Sequence, residues 1–363
     1  MIEERPAPGP YTHAGTSVNR IMLLVMLALA PATLLGFYLF GWPAILLFLT
    51  TLLTAVLAEM LALKLAGKPV RKFLLDGSAL LTGWLLAMTL PPWAPWWTGA
   101  VGALIAILIG KQVFGGIGQN LFNPAMVARV VLLISFPLEM TLFQQPLPLC
   151  SASAPGFIDS LAISFGNYTP VDAVSSATLL GQIKTELGRG VPFDRAALDA
   201  GSLWRSSWGD VAGSMGETSA LLLLTGGLLL IYKRIITWHI PCAMLGTLAL
   251  LAALFNLIDP VRYVDPLTHL TSGAAVLGAF FIATDLVTSP VSRQGQLLFG
   301  AGCGLLVYVI RTWAGYPEGV AFAVLLMNAC TPLIDHYLKP RIYGRDSKGE
   351  PLNYVESASG DER

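Results

Sequence analysis

Charge is scarce in this chain. Of its 363 residues only 12% are Asp, Glu, Lys or Arg, while 55% are hydrophobic and the mean hydropathy is +0.66. A soluble domain carries about 25% charged residues. So few charges exclude a surface that faces water all round, and they leave a polytopic membrane protein. An excess of either sign is missing too, with 22 basic residues against 22 acidic ones. That balance excludes the basic face a nucleic-acid partner would need. Cysteine is limited to Cys150, Cys242, Cys303 and Cys330, with no C-x-x-C pair. Three of them lie in apolar runs, where cysteine behaves as a small hydrophobe. A zinc or iron–sulfur centre made by this chain alone is therefore not expected. The opening stretch MIEERPAPGPYTHAGTSVNR lacks the basic flank and cleavage site of a secretory signal peptide. The first apolar run is accordingly expected to stay in the protein as a span.

What the chain has instead is long apolar runs. They predict an all-α polytopic membrane protein of about ten transmembrane helices. The first five are 21–40, 44–63, 77–90, 97–110 and 121–138; the second five are 218–232, 235–257, 267–286, 297–310 and 320–334. Several fall short of the roughly 20 residues that a straight span requires, so broken or re-entrant helices are expected among them. The resulting organisation is an N-terminal segment 1–20, a five-helix unit 21–138, a long connection 139–217, a second five-helix unit 218–336 and a tail 337–363.

Basic residues orient the spans. Lys64, Lys68, Arg71 and Lys72 follow the second run, Lys111 the fourth, Lys233 and Arg234 the sixth, and Arg293 the eighth. The tail adds Lys339, Arg341, Arg345 and Lys348, whereas the opposite short connections hold only Arg262 and Arg311. Short loops rich in Lys and Arg stay cytoplasmic, which puts both termini inside and the connection 139–217 outside. PPWAPWW (Pro91–Trp97) then falls at the outer interface, where Trp is favoured.

The two halves resemble each other. GSALLTGWLLAMTL (Gly77–Leu90) and GAAVLGAFFIATDL (Gly273–Leu286) share a glycine, two alanines and two leucines in register, and each is followed by proline. An asparagine among small residues recurs later in each half, in FNPA at Phe122–Ala125 and MNAC at Met327–Cys330. A five-span unit repeated once must invert, because five is odd. Transport proteins use such inverted repeats, and their short, glycine- or proline-interrupted helices point to a central site. The third and eighth runs fit that description.

Two sets of polar residues can carry chemistry. Glu59, Arg129, His239 and Asp285 fall within or at the ends of apolar runs, where buried charge is expensive and marks functional candidates. The plainer expectation is that Glu59 and Arg129 snorkel to the inner surface, that His239 sits at the interface beside Trp238, and that Asp285 caps a helix end beside Thr284 and Thr288. Asn123 is a further candidate for an ion path or a cofactor contact. GGIG at Gly115–Gly118 lacks the setting of a nucleotide-binding loop and suits close approach of backbones. The second set is VDAVSSATLLGQ (Val171–Gln182), where hydroxyl and small residues interrupt a greasy chain outside the membrane. A hydroxyl such as that of Thr178 can carry a phosphate ester, and its small neighbours leave room for a modifying enzyme.

That stretch, D-A-V-S-S-A-T, resembles the flavinylation motif of the D subunit of the Rnf electron-transport complex, and of the related B subunit of the sodium-translocating NADH:quinone oxidoreductase. GGIGQNLFNPAMVAR (Gly115–Arg129) and FFIATDLVTSP (Phe280–Pro290) carry the resemblance over essentially the whole chain. Leu179 departs from it, standing where a proline is frequent. The absence of a long N-terminal extension favours the Rnf side. The resemblance implies FMN esterified to Thr178 within a motif of Asp172, Ser175, Ser176 and Ala177, and in some members a noncovalent riboflavin. It also implies iron–sulfur and flavin partner subunits, a flavin transferase for maturation, a bacterial inner membrane and a periplasmic flavin loop. Electron transfer between ferredoxin and NAD would then be coupled to ion movement, with no complete reaction on this chain alone. Tyr168, Phe193, Trp204 and Trp208 can stack on the ring or anchor the loop. A flavin-free channel or facilitator, and a scaffold for partner subunits, are the competing readings.

Overall fold

In the computed structural model the described residues are 17–152, 154–166, 175–176, 178–188, 208–209, 211–316 and 318–340. Almost all regular structure among them is helical. Among the described residues five helices are long and apolar enough to cross a membrane: Val18–Leu65, Trp96–Phe114, His239–Ile258, Arg293–Trp313 and Val320–Tyr337. Shorter apolar helices span Ser78–Thr89, Pro124–Ser135 and Ala220–Tyr232.

The first two expected spans run on as the single 48-residue helix Val18–Leu65, broken in direction at Gly41 (φ 71°, ψ −158°). A left-handed φ suits glycine, which has no Cβ to clash. Pro43 follows and has no N–H to donate into the preceding turn. The carbonyls freed there find other donors. The Trp93 indole donates to Phe40 O at 3.0 Å, and the Leu149 N–H donates to Tyr38 O at 2.7 Å. The bend is thus tied at its apex to two connecting segments.

The eighth expected span is interrupted. It forms a short helix Pro266–Thr271, passes Gly273 at φ 69°, and resumes as Ala275–Leu277 and a π-type stretch Gly278–Ile282. A second π-type stretch, Ile105–Gln112, lies in helix Trp96–Phe114. Such bulges mark functional or strained places in helices.

Helix His239–Ile258 packs closely against Arg293–Trp313. A Cβ placed on Gly300 would lie 2.6 Å from Ile240 O, and one on Gly304 would lie 2.4 Å from Met244 O. Glycines four apart let two backbones touch, which is how helices associate where lipid removes the hydrophobic drive. The outward faces are apolar: Leu53, Leu57 and Leu61 on one helix and Leu250, Leu254 and Leu257 on another are all exposed.

Candidate functional site

The segment that carries Thr178 is held by backbone pairing. Ser175 and Ser176 pair antiparallel with Gln144 and Phe143. Thr178 then caps helix Leu179–Gly188: its Oγ1 accepts the Gly181 N–H at 3.2 Å, and its carbonyl accepts the Gln182 N–H at 2.8 Å. Threonine favours this position because its oxygen satisfies a donor the helix leaves orphaned. Leu179 therefore occupies the first helical position, where proline is also well accommodated because its missing N–H has no intrahelical acceptor there. The local fold accounts for the departure noted at this residue. Leucine keeps an N–H that proline would lack, so it adds a donor to the helix N-terminus.

Helix Leu179–Gly188 is fastened to the bundle by Leu180 and Ile183, both buried, and by Lys184. The Lys184 Nζ donates to Tyr316 O at 2.9 Å, Arg311 O at 3.1 Å and Ile310 O at 3.3 Å. All three ammonium donors end on carbonyls at or just beyond the end of helix Arg293–Trp313, where a cation also complements the helix dipole. Burial lowers the Lys184 pKa from the usual lysine value.

Thr178 lines two adjoining spaces. One is a groove of about 340 Å³ bounded by Thr141, Phe143, Gly181, Lys184, Thr185 and Gly315. The other is a smaller cavity beneath it, lined by Arg129, Phe143, Glu217, Tyr316, Glu318 and Phe322 among others. Arg129 comes from the middle of helix Pro124–Ser135, while Glu217 and Glu318 come from connecting segments. Glu318 pairs with Arg311 at 2.9 Å. Glu217 accepts the Ser214 hydroxyl at 2.9 Å. Its carboxyl is pushed up to about 7, chiefly by burial and then by repulsion from Glu318, against the opposing effects of Ser214, Arg129 and Arg311. Arg129 is nine-tenths buried, and its Nη1 has no hydrogen-bond partner.

The remaining expected site residues go elsewhere. At the opposite end of the bundle, Lys111 donates to Glu59 Oε1 at 2.9 Å and to Ser78 Oγ at 2.7 Å, and Gln112 donates to the same Glu59 oxygen at 2.7 Å. Ser78 in turn donates to Asp76 at 2.5 Å. Asp285, Asn123, Lys111 and Ser78 line one small cavity there. Asn123 caps helix Pro124–Ser135 by accepting the Ala125 and Met126 N–H groups, and its amide donates weakly to Ile282 O at 3.5 Å. Asp285 accepts from Thr288 Oγ1 at 3.2 Å, as a local cap should. His239 opens its helix stacked on Trp238 at 4.2 Å. Two expectations need correction. Glu59 does not snorkel to the surface: it is 2% exposed and salt-bridged. Arg129 does not snorkel either, because its guanidinium lies in the cavity under Thr178, away from the Glu59 and Asp285 cluster.

Asp172 and Ala177 lie outside the described residues, as do Tyr168, Phe193 and Trp204; Trp208 is exposed. Sequence reasoning did not single out Lys111, Lys184, Glu217, Arg311 or Glu318 as site residues. Only the scarcity of charge could have flagged them, since each is one of few ionisable groups near an apolar run. A further cavity of about 270 Å³ opens on another face of the Thr178 helix, lined by Lys184, Arg262, Tyr263, His269, Arg311 and Trp313 among others.

These features define a class: a helical multi-pass membrane protein in which a helix-capping hydroxyl and a buried cation line the same cavity. The chain belongs to the NQR2, RnfD, RnfE family, whose model matches residues 6–344. It is 54% identical over 345 residues to the D subunit of the ion-translocating oxidoreductase complex of Halorhodospira halophila (strain DSM 244 / SL1), covering 95% of this chain and 97% of that one. The protein of the same name from Stutzerimonas stutzeri is 56% identical over 337 residues, covering 93% and 95%. That from Escherichia coli (strain SE11) is 45% identical over 351 residues, covering 94% and 98%.

Proposed function

We propose that this chain is the D-type membrane subunit of an ion-translocating oxidoreductase complex, and that it carries FMN esterified through its phosphate to Thr178. Family membership and relatives of that name along nearly the full length support the first part. The observation that carries the second is the position of Thr178 Oγ1 at the N-terminus of helix Leu179–Gly188, on the wall of a groove of about 340 Å³. A phosphate on that oxygen would meet the free amides of the first helical turn, where backbone N–H groups and the helix dipole favour an anion. The groove falls within the range of small-molecule pockets, roughly 300–1,000 Å³. FMN, when bound, takes up electrons singly or in pairs and so links carriers of different type. The chain's own part is to hold the group: Thr178 anchors it, Lys184 fixes its helix to the bundle, and the cavity beneath supplies charge.

In this reading, about ten spans form two inverted five-helix units in a bacterial inner membrane, with both termini cytoplasmic and the flavin loop periplasmic. The basic-residue distribution, the bend at Gly41 and the break at Gly273 support it. Ferredoxin and NAD would exchange electrons through partner iron–sulfur and flavin subunits, with a flavin transferase making the ester. The cluster of Asp285, Asn123, Glu59 and Lys111 at the other end is the place for an ion path or a noncovalent riboflavin; Arg129 belongs with Thr178.

The test is a denaturing gel viewed under ultraviolet light, using protein from a flavinylation-competent host. We expect a fluorescent band that Thr178→Ala abolishes, and a matching mass increment on the Thr178 peptide. A dark wild-type band would favour a flavin-free channel or facilitator. Intact electron transfer by the Thr178→Ala complex would favour a scaffold.

A further inference from the structure

Arg129 is the least explained charge among the described residues. It is nine-tenths buried, it makes no ion pair within 4 Å among the described residues, and its Nη1 has no hydrogen-bond partner. An arginine stays protonated in proteins. Leaving a buried charge without a contacting counter-ion is strongly destabilising. The two carboxylates that line the same cavity do not resolve this. Glu318 is engaged by Arg311 at 2.9 Å, and Glu217 is engaged by the Ser214 hydroxyl at 2.9 Å. Both act on Arg129 only through longer-range attraction. The cavity is therefore short of one anion in contact with the guanidinium.

We propose that Arg129 is the counter-charge for a phosphate group held at Thr178, so that the guanidinium and the N-terminus of helix Leu179–Gly188 clamp one phosphate from two sides. The inference rests on the flavin reading of Thr178 and deepens it by assigning a positioning residue. Covalent geometry makes the argument. A phosphorus bonded to Thr178 Oγ1 stays within one bond of that oxygen, and Thr178 and Arg129 line the same cavity. The ring, at the end of a long flexible chain, is not constrained in this way. A phosphodiester keeps one negative charge in every redox state of the flavin, which matches the fixed charge of arginine. Guanidinium is also the side chain best suited to a phosphate, because two of its N–H groups can bind two oxygens together.

The test uses the full chain purified from a host without flavin transferase, so that Thr178 keeps a free hydroxyl. Free FMN and riboflavin, which differ only in the phosphate, are titrated by quenching of flavin fluorescence. Wild type should bind FMN at least about tenfold tighter than riboflavin, as a charge-assisted phosphate contact would give. Inorganic phosphate should compete with FMN and leave riboflavin unaffected. Arg129→Gln should bring the two affinities within about twofold, and Arg129→Lys should retain part of the preference, since lysine supplies the charge without the fork. Equal wild-type affinities, or a preference that Arg129→Gln keeps, would overturn the proposal. Equal wild-type affinities overturn the proposal whether or not the glutamine variant folds, and if it does not fold, a wild-type preference left unchanged in Arg129→Lys overturns the assignment to Arg129. The flavinylated protein gives a second readout: greater mobility of the phosphodiester in Arg129→Lys than in wild type, by phosphorus NMR; unchanged mobility counts against the clamp. A chain from native membranes with no flavin on Thr178 would defeat the reading of the attachment site, whereas the affinity ratio reports on the phosphate clamp alone.

Discussion

Glu59 and Lys111 form a buried salt bridge of 2.9 Å, with side chains only 2% and 3% exposed. One residue comes from the second arm of the bent helix Val18–Leu65, the other from the π-type stretch Ile105–Gln112. Widening a helical turn alters the direction of the side chains that follow, and Lys111 lies on that widened stretch, where it reaches both Glu59 and Ser78.

Breaking this pair on one side leaves the other charge buried and alone. Lys111→Met is expected to destabilise the protein by about 3–5 kcal/mol. The double variant Glu59→Leu with Lys111→Met removes both charges and should recover most of that loss. Thermal melting in detergent measures both. A double variant as unstable as the single one would show that the pair is not the relevant contact. A stable double variant that no longer supports ion movement in the assembled complex would place the pair on the ion path.

Lys184 spends its three donors on the carbonyls of Ile310, Arg311 and Tyr316. Lys184→Met keeps the length of the stem and removes the donors. Each hydrogen bond to a charged group contributes about 1.5–3 kcal/mol, but the site is partly open to water, so a total of only about 2 kcal/mol is expected. The effect should be local. Amide exchange in 179–185 should speed up and flavin loading of Thr178 should fall, with little change in the helices. Unchanged exchange in that segment would contradict the anchoring role.

Glu217 lies in the segment just before helix Ala220–Tyr232, and its pKa is raised to about 7. The folded state thus holds this proton more tightly than the unfolded chain does. Its contribution to stability is complete below the ordinary carboxylate value of about 4.5 and is lost as pH rises through about 7. The loss is bounded at about 3 kcal/mol. Wild type should melt progressively lower from pH 5 to pH 8, and Glu217→Gln should flatten that slope. A slope that survives the substitution would assign it to another group.

Much of the architecture could be read from the chain alone. Scarcity of charge and long apolar runs point to lipid around much of the surface, and among the described residues five helices are long and apolar enough to cross a membrane, the first of them covering the first two expected runs. Of the third and eighth runs, expected to be short and interrupted, the eighth breaks at Gly273 while the third forms the continuous helix Ser78–Thr89; the bend at Gly41, which joins the first two runs into one helix, was not read from the sequence. The hydroxyl of Thr178 stood out for a local reason, as a polar motif in a greasy chain. Tertiary structure alone decided the partners of the charges. Nothing along the sequence places Arg129 under Thr178, 49 positions later, or Lys111 against Glu59. In a membrane protein both a snorkelling charge and a buried one sit inside apolar runs, so the linear pattern is the same. Which of the two occurs depends on whether another segment brings a counter-charge or a cavity to meet it, and that is fixed only when helices distant in sequence pack together.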